Sequence, residues 1–123
     1  MRKIAFVILI LILNSCHFIG KGSGIKFEII NNSDTPIKNV KFTTSEYVNA
    51  IEFDKIGVNK SVSGFLSMKN NKADGHYVLE FTQLTDNRVI KGYGYYSNGS
   101  AMESWVAFKI NNDTITHSFS KIK

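Results

Sequence analysis

The chain has 123 residues, a single Cys, three His and a formal net charge of +5 at pH 7, which leaves room for one domain and excludes an internal disulfide. Hydrophobic residues make up 43% of the chain and aromatic residues 12%, so we expect a packed core and not a disordered chain. The three His are far apart and no Gly-rich phosphate motif precedes a helix, so the sequence predicts neither a metal site nor a cofactor.

The N-terminal residues have the composition of a secretion signal. Arg2 and Lys3 precede ten consecutive apolar residues, 4–13. This run is too short for a membrane-spanning helix, which needs about 20 residues. A basic start followed by an apolar run of this length is typical of a signal peptide.

The next residues carry a more specific motif. Leu13, Asn14, Ser15 and Cys16 resemble the lipobox of bacterial lipoproteins, which consists of Leu, a variable residue, a small residue and Cys. In that family the Cys thiol receives a diacylglyceryl group and the signal is cut just before the Cys. The resemblance implies a cleaved signal peptide over residues 1–15 and lipidation of Cys16, and two or three acyl chains hold a protein firmly on a membrane.

The residues after the lipobox predict a short tether and indicate a location. Residues 16–23 are rich in Gly and Ser and are expected to be a flexible, lipid-anchored tether. In the lipoprotein family, acidic residues just after the Cys direct some members to the cell surface, and none occur here, which favours the periplasmic side of the outer membrane. Loss of Arg2 and Lys3 with the signal lowers the charge from +5 to +3, which is too small an excess to indicate nucleic-acid binding.

The body of the chain, residues 24–123, predicts one all-β domain. Apolar and polar residues alternate in about eight short segments separated by Asn, Asp and Gly. This count favours an antiparallel immunoglobulin-like β-sandwich of seven or eight strands, with a small up-and-down β-barrel as the alternative. The likeness concerns architecture alone, because the Cys–Trp–Cys signature of antibody domains is absent. The alternation predicts a core that includes Phe27, Leu79, Phe81, Val106 and Phe108.

One segment has an unusual aromatic composition. Tyr93, Tyr95 and Tyr96 lie among glycines, and Trp105, the only Trp of the chain, follows shortly after. Tyr and Trp combine a flat apolar face with a polar tip, which suits sugar stacking or a protein interface. These four residues are therefore the predicted binding surface. The alternative is that the Tyr side chains pack within the sheet.

The remaining reactive side chains give no catalytic pattern. Ser97 lies in a turn composition without a base beside it, and His76 and His117 are far apart in sequence. Glu52 and Asp54 lie on one side of a strand. We interpret them as two acids on its solvent-exposed face and not as the catalytic carboxylate pair of a glycosidase. The sequence thus predicts no enzyme.

The predicted function is a lipid-anchored cell-envelope protein with a small all-β binding or interaction domain. Its expected partners are the membrane, through the lipid on Cys16, and either an envelope protein or a polysaccharide. A carbohydrate-binding accessory lipoprotein that uses the Tyr/Trp surface is one alternative, and a small envelope hydrolase is another.

Overall fold

The computed structural model describes residues 23–121, and these residues form β-strands joined by short turns. They include no helix that is long and apolar enough to cross a membrane. The predicted signal peptide and Cys16 lie outside the described residues. The strands are β1 (Gly24–Asn31), β2 (Ile37–Thr44), β3 (Ala50–Ile56), β4 (Ser61–Ser67), β5 (Gly75–Thr82), β6 (Arg88–Ser97), β7 (Ser100–Ala101), β8 (Glu103–Ile110) and β9 (Ile115–Lys121).

The strands form two sheets, as the sequence predicted. The four-stranded sheet has the order β4-β1-β8-β9 and the five-stranded sheet the order β3-β2-β5-β6-β7. The all-β sandwich is therefore confirmed, with two differences in detail. The described chain has nine strands, since the two-residue β7 adds one to the predicted set. In addition, β1 and β8 pair in parallel, whereas the other pairs are antiparallel. The parallel pair arises because the chain returns from β7 to the first sheet at the end where β1 begins.

The core lies between the two sheets and is rich in aromatic rings. All five predicted core residues are at most 3% exposed, so the strand parity read from the sequence is confirmed for these residues. The ring of Phe42, in β2, links the sheets: its centroid is 4.7 Å from that of Phe27 and 5.5 Å from that of Phe108. Such close ring packing adds to the burial of apolar area in holding the sheets together.

The two ends of the sandwich differ in what they carry. We call the end at which β1 begins the tether end, because the predicted tether leads into it. It contains Ser23 and the loops 45–49, 68–74 and 98–99. Backbone hydrogen bonds connect parts of this end: the Met68 N–H donates to the Ser23 oxygen (2.7 Å), and the Gly99 N–H donates to the Ala73 oxygen (2.8 Å). The opposite end, here the far end, contains the loops 32–36, 57–60, 83–87 and 111–114.

A buried Asn side chain organises part of the far end. Asn31, at the end of β1, is fully buried. Its Nδ2 donates to the carbonyl oxygens of Thr35 (2.9 Å), Ile56 (3.0 Å) and Gly57 (3.2 Å), and its Oδ1 accepts from the Ser33 N–H (3.0 Å). These bonds join the 32–36 loop to the end of β3 and to the loop that follows it, and so fix the two loops relative to each other.

Candidate binding surfaces

The predicted aromatic surface is divided by a β-bulge in β6. Tyr77 of β5 pairs with Tyr93 while Gly75 pairs with Tyr96, so β6 holds one extra residue at this point. Gly94 accommodates the bulge with a φ of +68°, in the left-handed region that favours Gly. Because of the extra residue, Tyr93 and Tyr96 both point into the core and Tyr95 points out.

The burial of these side chains corrects half of the predicted surface. Tyr96 is 0% exposed and does not belong to any binding surface. Tyr93 is half-buried, and its ring lies 5.0 Å from that of Phe108 and 4.9 Å from that of His117. Burial also raises the pKa of the Tyr93 hydroxyl. Both tyrosines are mainly core residues, which is the alternative that the sequence had left open.

The hydroxyl of Tyr96 has a structural role at the tether end. It donates to Glu46 Oε1 (3.0 Å) and accepts from Asn71 Nδ2 (3.2 Å). Glu46 in turn accepts the backbone N–H groups of Lys72 and Ala73. These donors, with Lys72 first, hold the pKa of Glu46 below its usual value. The network therefore fastens the 68–74 loop to the sheets.

The other two predicted residues are exposed but lie on separate sheets. Tyr95 is 51% exposed on the five-stranded sheet, and Trp105 is 40% exposed on the four-stranded sheet. Each points away from the core on the outer side of its own sheet, and the outer sides of two stacked sheets face in opposite directions. The two rings do not form one planar row.

A buried acid forms a cluster that the sequence did not single out. Glu80 lies on the outer side of β5 yet is only 5% exposed. Its Oε2 accepts from Arg88 Nη2 at 2.9 Å and lies 3.8 Å from Lys41 Nζ, which also pairs with Glu52 at 3.6 Å. The cluster bridges four adjacent strands and gives Glu52 a structural partner. The alternation along β5 was the only indication in the sequence, and it predicted that Glu80 would be exposed to solvent.

The far end carries a groove with an apolar floor and an amide-rich rim. It has a volume of about 320 Å³. Lys91 and Asp113 place one charge of each sign on the rim. A concave site with an apolar floor and a few convergent polar groups is the usual form of a ligand site. We call it the far-end groove; its floor is formed by Phe81, Val89 and Ile115, and its rim includes Gln83, Asn87 and Asn112.

Loops distant in sequence build this groove. Asn112, in the turn between β8 and β9, donates through Nδ2 to Asp34 Oδ2 (2.8 Å) and accepts the Asp34 N–H through Oδ1 (2.9 Å). The Asn87 Nδ2 donates to Gln83 Oε1 (3.3 Å) across the β5–β6 turn. The sequence identified both segments as turns, but alternation gives no information on which turns meet.

The remaining candidate side chains stay apart. His76 is exposed and covers Gly92, and His117 packs edge-on against Phe119 at 5.5 Å. Asp54 is exposed beside the paired Glu52. Within residues 23–121, no three His, Cys, Asp or Glu side chains come close enough together to hold a metal ion.

Comparisons with known proteins give little further information. No family model and no curated protein matches the chain. A solved structure, described as the NMR structure of a protein from Eubacterium rectale, is similar over 82% of this chain and 92% of its own, with 11% sequence identity and a TM-score of 0.49.

Proposed function

We propose that this protein is a lipid-anchored protein of the bacterial cell envelope and that its β-sandwich is a binding module without catalytic activity. The observation that carries the proposal is the order of features along the chain. A basic start, ten apolar residues and the lipobox-like residues 13–16 lead to the only Cys, and β1 begins eight residues later, at Gly24. The anchor is Cys16, and the favoured location is the outer membrane facing the periplasm.

The position of the far-end groove supports a binding role. The groove lies at the opposite end of the sandwich from Gly24, and strands of eight residues at about 3.3 Å per residue separate the two ends by about 26 Å. An anchor at one end thus presents the groove away from the membrane. Its amide-rich rim and apolar floor suit a polar ligand with an apolar face, on either a polysaccharide or an envelope protein.

The first test concerns the anchor. In a lipoprotein-processing host, the wild-type chain should incorporate labelled fatty acid and yield a mature N-terminus at residue 16. Cys16→Ser should remain unlabelled and retain residues 1–15, because the thiol is the acyl acceptor. Labelling in cells and mass spectrometry of the N-terminus measure both effects. Ser15→Ala, which keeps a small residue before the Cys, is the control and should be processed normally. A wild-type protein with a free Cys16 thiol would contradict the proposal.

The second test concerns the groove. Lys91 and Ile90 are adjacent in sequence and both are exposed. The Lys91 side chain lines the groove, whereas the Ile90 side chain lies on the opposite, outer face of β6. A photo-crosslinking amino acid at position 91 should form a discrete adduct in the native envelope, and the same group at position 90 should not. The adduct's mass and its sensitivity to protease or glycosidase identify a protein or a polysaccharide. Equal adducts at both positions, or none at either, would count against the groove as the binding site.

A further inference from the structure

Exposed apolar side chains are concentrated at the tether end. Among the described residues, nine large apolar side chains are exposed, and six of them lie on strand ends and loops at that end. Of the other three, Val58 and Leu84 lie in far-end loops and Ile90 lies on the outer side of β6. The six share one end of the sandwich but not one face, since Tyr95 lies on the outer side of the five-stranded sheet and Phe65 and Trp105 lie on that of the four-stranded sheet. Large exposed apolar side chains concentrated at one end indicate a surface that another body covers. The six are Tyr47, Val48, Phe65, Tyr95, Met102 and Trp105.

Two of these residues form a row across the four-stranded sheet. Lys26 of β1 pairs with Phe65 of β4 on one side and with Trp105 of β8 on the other. Phe65 is 39% exposed and its ring lies over Gly24, the first residue of the sheet. The row therefore stands beside the point where the chain enters the domain. Met102 precedes β8 and is 52% exposed at the same end.

The row itself carries one positive charge, and the loops beside it carry charges of both signs. Lys26 lies between the two rings, and Lys69 and Lys72 are exposed in the 68–74 loop. Backbone N–H groups hold the pKa of Glu46 and that of Asp74 below their usual values, so both acids stay anionic and offset the charges of Lys69 and Lys72. This leaves Lys26, within the row itself, as the cation nearest the two rings. Aromatic side chains flanked by Lys are favoured at the boundary between lipid headgroups and acyl chains.

The length of the preceding chain fixes which end can reach the bilayer. Gly24 follows Cys16 by eight residues, which span at most about 28 Å when fully extended. The sandwich is about 26 Å long, at about 3.3 Å per residue for eight-residue strands. The tether end reaches the lipid surface with any tether conformation, whereas the far end reaches it only with the tether fully stretched along the domain. A contact made under such a short link is favoured by a high effective concentration.

We infer that the tether end rests on the surface of the bilayer that holds the lipid of Cys16, with Trp105, Lys26 and Phe65 at headgroup level. This inference rests on the proposed lipid anchor. It assigns the tether-end residues to the membrane and leaves the far-end groove for the ligand. A second site of attachment of this kind would hold the domain in a fixed orientation.

The single Trp of the chain provides the test. The lipidated full-length protein is reconstituted into vesicles of phosphatidylethanolamine and phosphatidylglycerol, with and without phosphatidylcholine that carries brominated acyl chains. Emission from Trp105 should shift to the blue on binding and should be quenched in the brominated vesicles. Two single-Trp variants in the Trp105→Phe background compare the ends: Tyr47→Trp should be quenched and Leu84→Trp, at the far end, should not.

The possible results separate the inference from the anchor. A protein that floats with the vesicles but has the same Trp105 emission in both kinds of vesicle overturns the inference and leaves the anchor intact. A blue shift without quenching also overturns it, because Trp105 is then shielded from water without contact with the acyl chains. Equal quenching of Trp105 and of the Leu84→Trp variant overturns it as well, since the domain then has no preferred face. A protein that does not float overturns both the anchor and the docking.

Discussion

Phe42→Ala should lower the free energy of unfolding by about 3–5 kcal/mol, the usual cost of truncating a buried Phe. Phe42 is fully buried in β2, and its ring contacts Phe27 and Phe108 of the other sheet and Tyr77 of its own. The truncation thus opens a cavity where the sheets meet. Since a small domain has only about 5–15 kcal/mol of stability, the variant should unfold at a much lower urea concentration.

The same truncation at Phe65 is the matched control. Phe65 is 39% exposed on the outer side of β4, so Phe65→Ala should cost about 1 kcal/mol or less. Both variants are measured by urea unfolding of residues 16–123, expressed without residues 1–15 and with Cys16→Ser, which removes the lipid from the comparison. Similar losses for the two variants would mean that Phe42 does not join the sheets.

Alternation predicted most of the fold because burial on one face of a strand imposes a period of two. Phe27 lies between Lys26 and Glu28, and Phe108 shares its side of the strand with Val106 and Ile110; these local patterns were sufficient to place both rings in the core. The parallel pairing of β1 with β8 had no local signal. It joins residues about 80 positions apart in the chain, as in the pair of Lys26 with Trp105, and only the tertiary arrangement selects it.

The candidate sites were harder to predict than the core. The spacing of Tyr93, Tyr95 and Tyr96 does not indicate a bulge. Gly94 gives no sign of one either, because any Gly in a strand looks the same in the sequence. Gly94 adopts a positive φ, and the extra residue at this point reverses which side chains of the rest of β6 face the core and which face solvent. The far-end groove combines turns from distant parts of the chain, so its residues were visible as turn formers but not as one site.

Lipidation of Cys16 and the tether-end surface depend on different kinds of information. The lipobox-like residues are contiguous and can be recognised in the sequence alone. The row of Phe65, Lys26 and Trp105 comes from three strands, and only the strand register brings the three together. The two features support the same orientation of the domain.

Gly99→Ala should destabilise the domain by about 2–5 kcal/mol, for two reasons. Residue 99 has a left-handed backbone conformation, and the new methyl group would overlap the backbone of the 68–74 loop. Gly99 has a φ of +74°, which costs an L-residue about 1–2 kcal/mol. Its Cβ would overlap the Asn71 carbonyl oxygen, and overlap of this kind typically adds about 1–3 kcal/mol. No rotamer change relieves a contact with the main chain, so the 68–74 loop must move away.

Gly57→Ala is the matched control for this prediction, since the two variants add the same methyl group at opposite ends of the sandwich. At Gly57 the new Cβ would meet only Lys60 Cγ, at 3.4 Å, and the φ is not in the left-handed region. Replacing Gly by Ala at a compatible site stabilises by about 0.4–1 kcal/mol through the unfolded chain. Urea unfolding should therefore move the two midpoints in opposite directions. Equal midpoints would show that the 68–74 loop yields at little cost, and that the hydrogen bond from the Gly99 N–H to the Ala73 oxygen does not hold the loop in place.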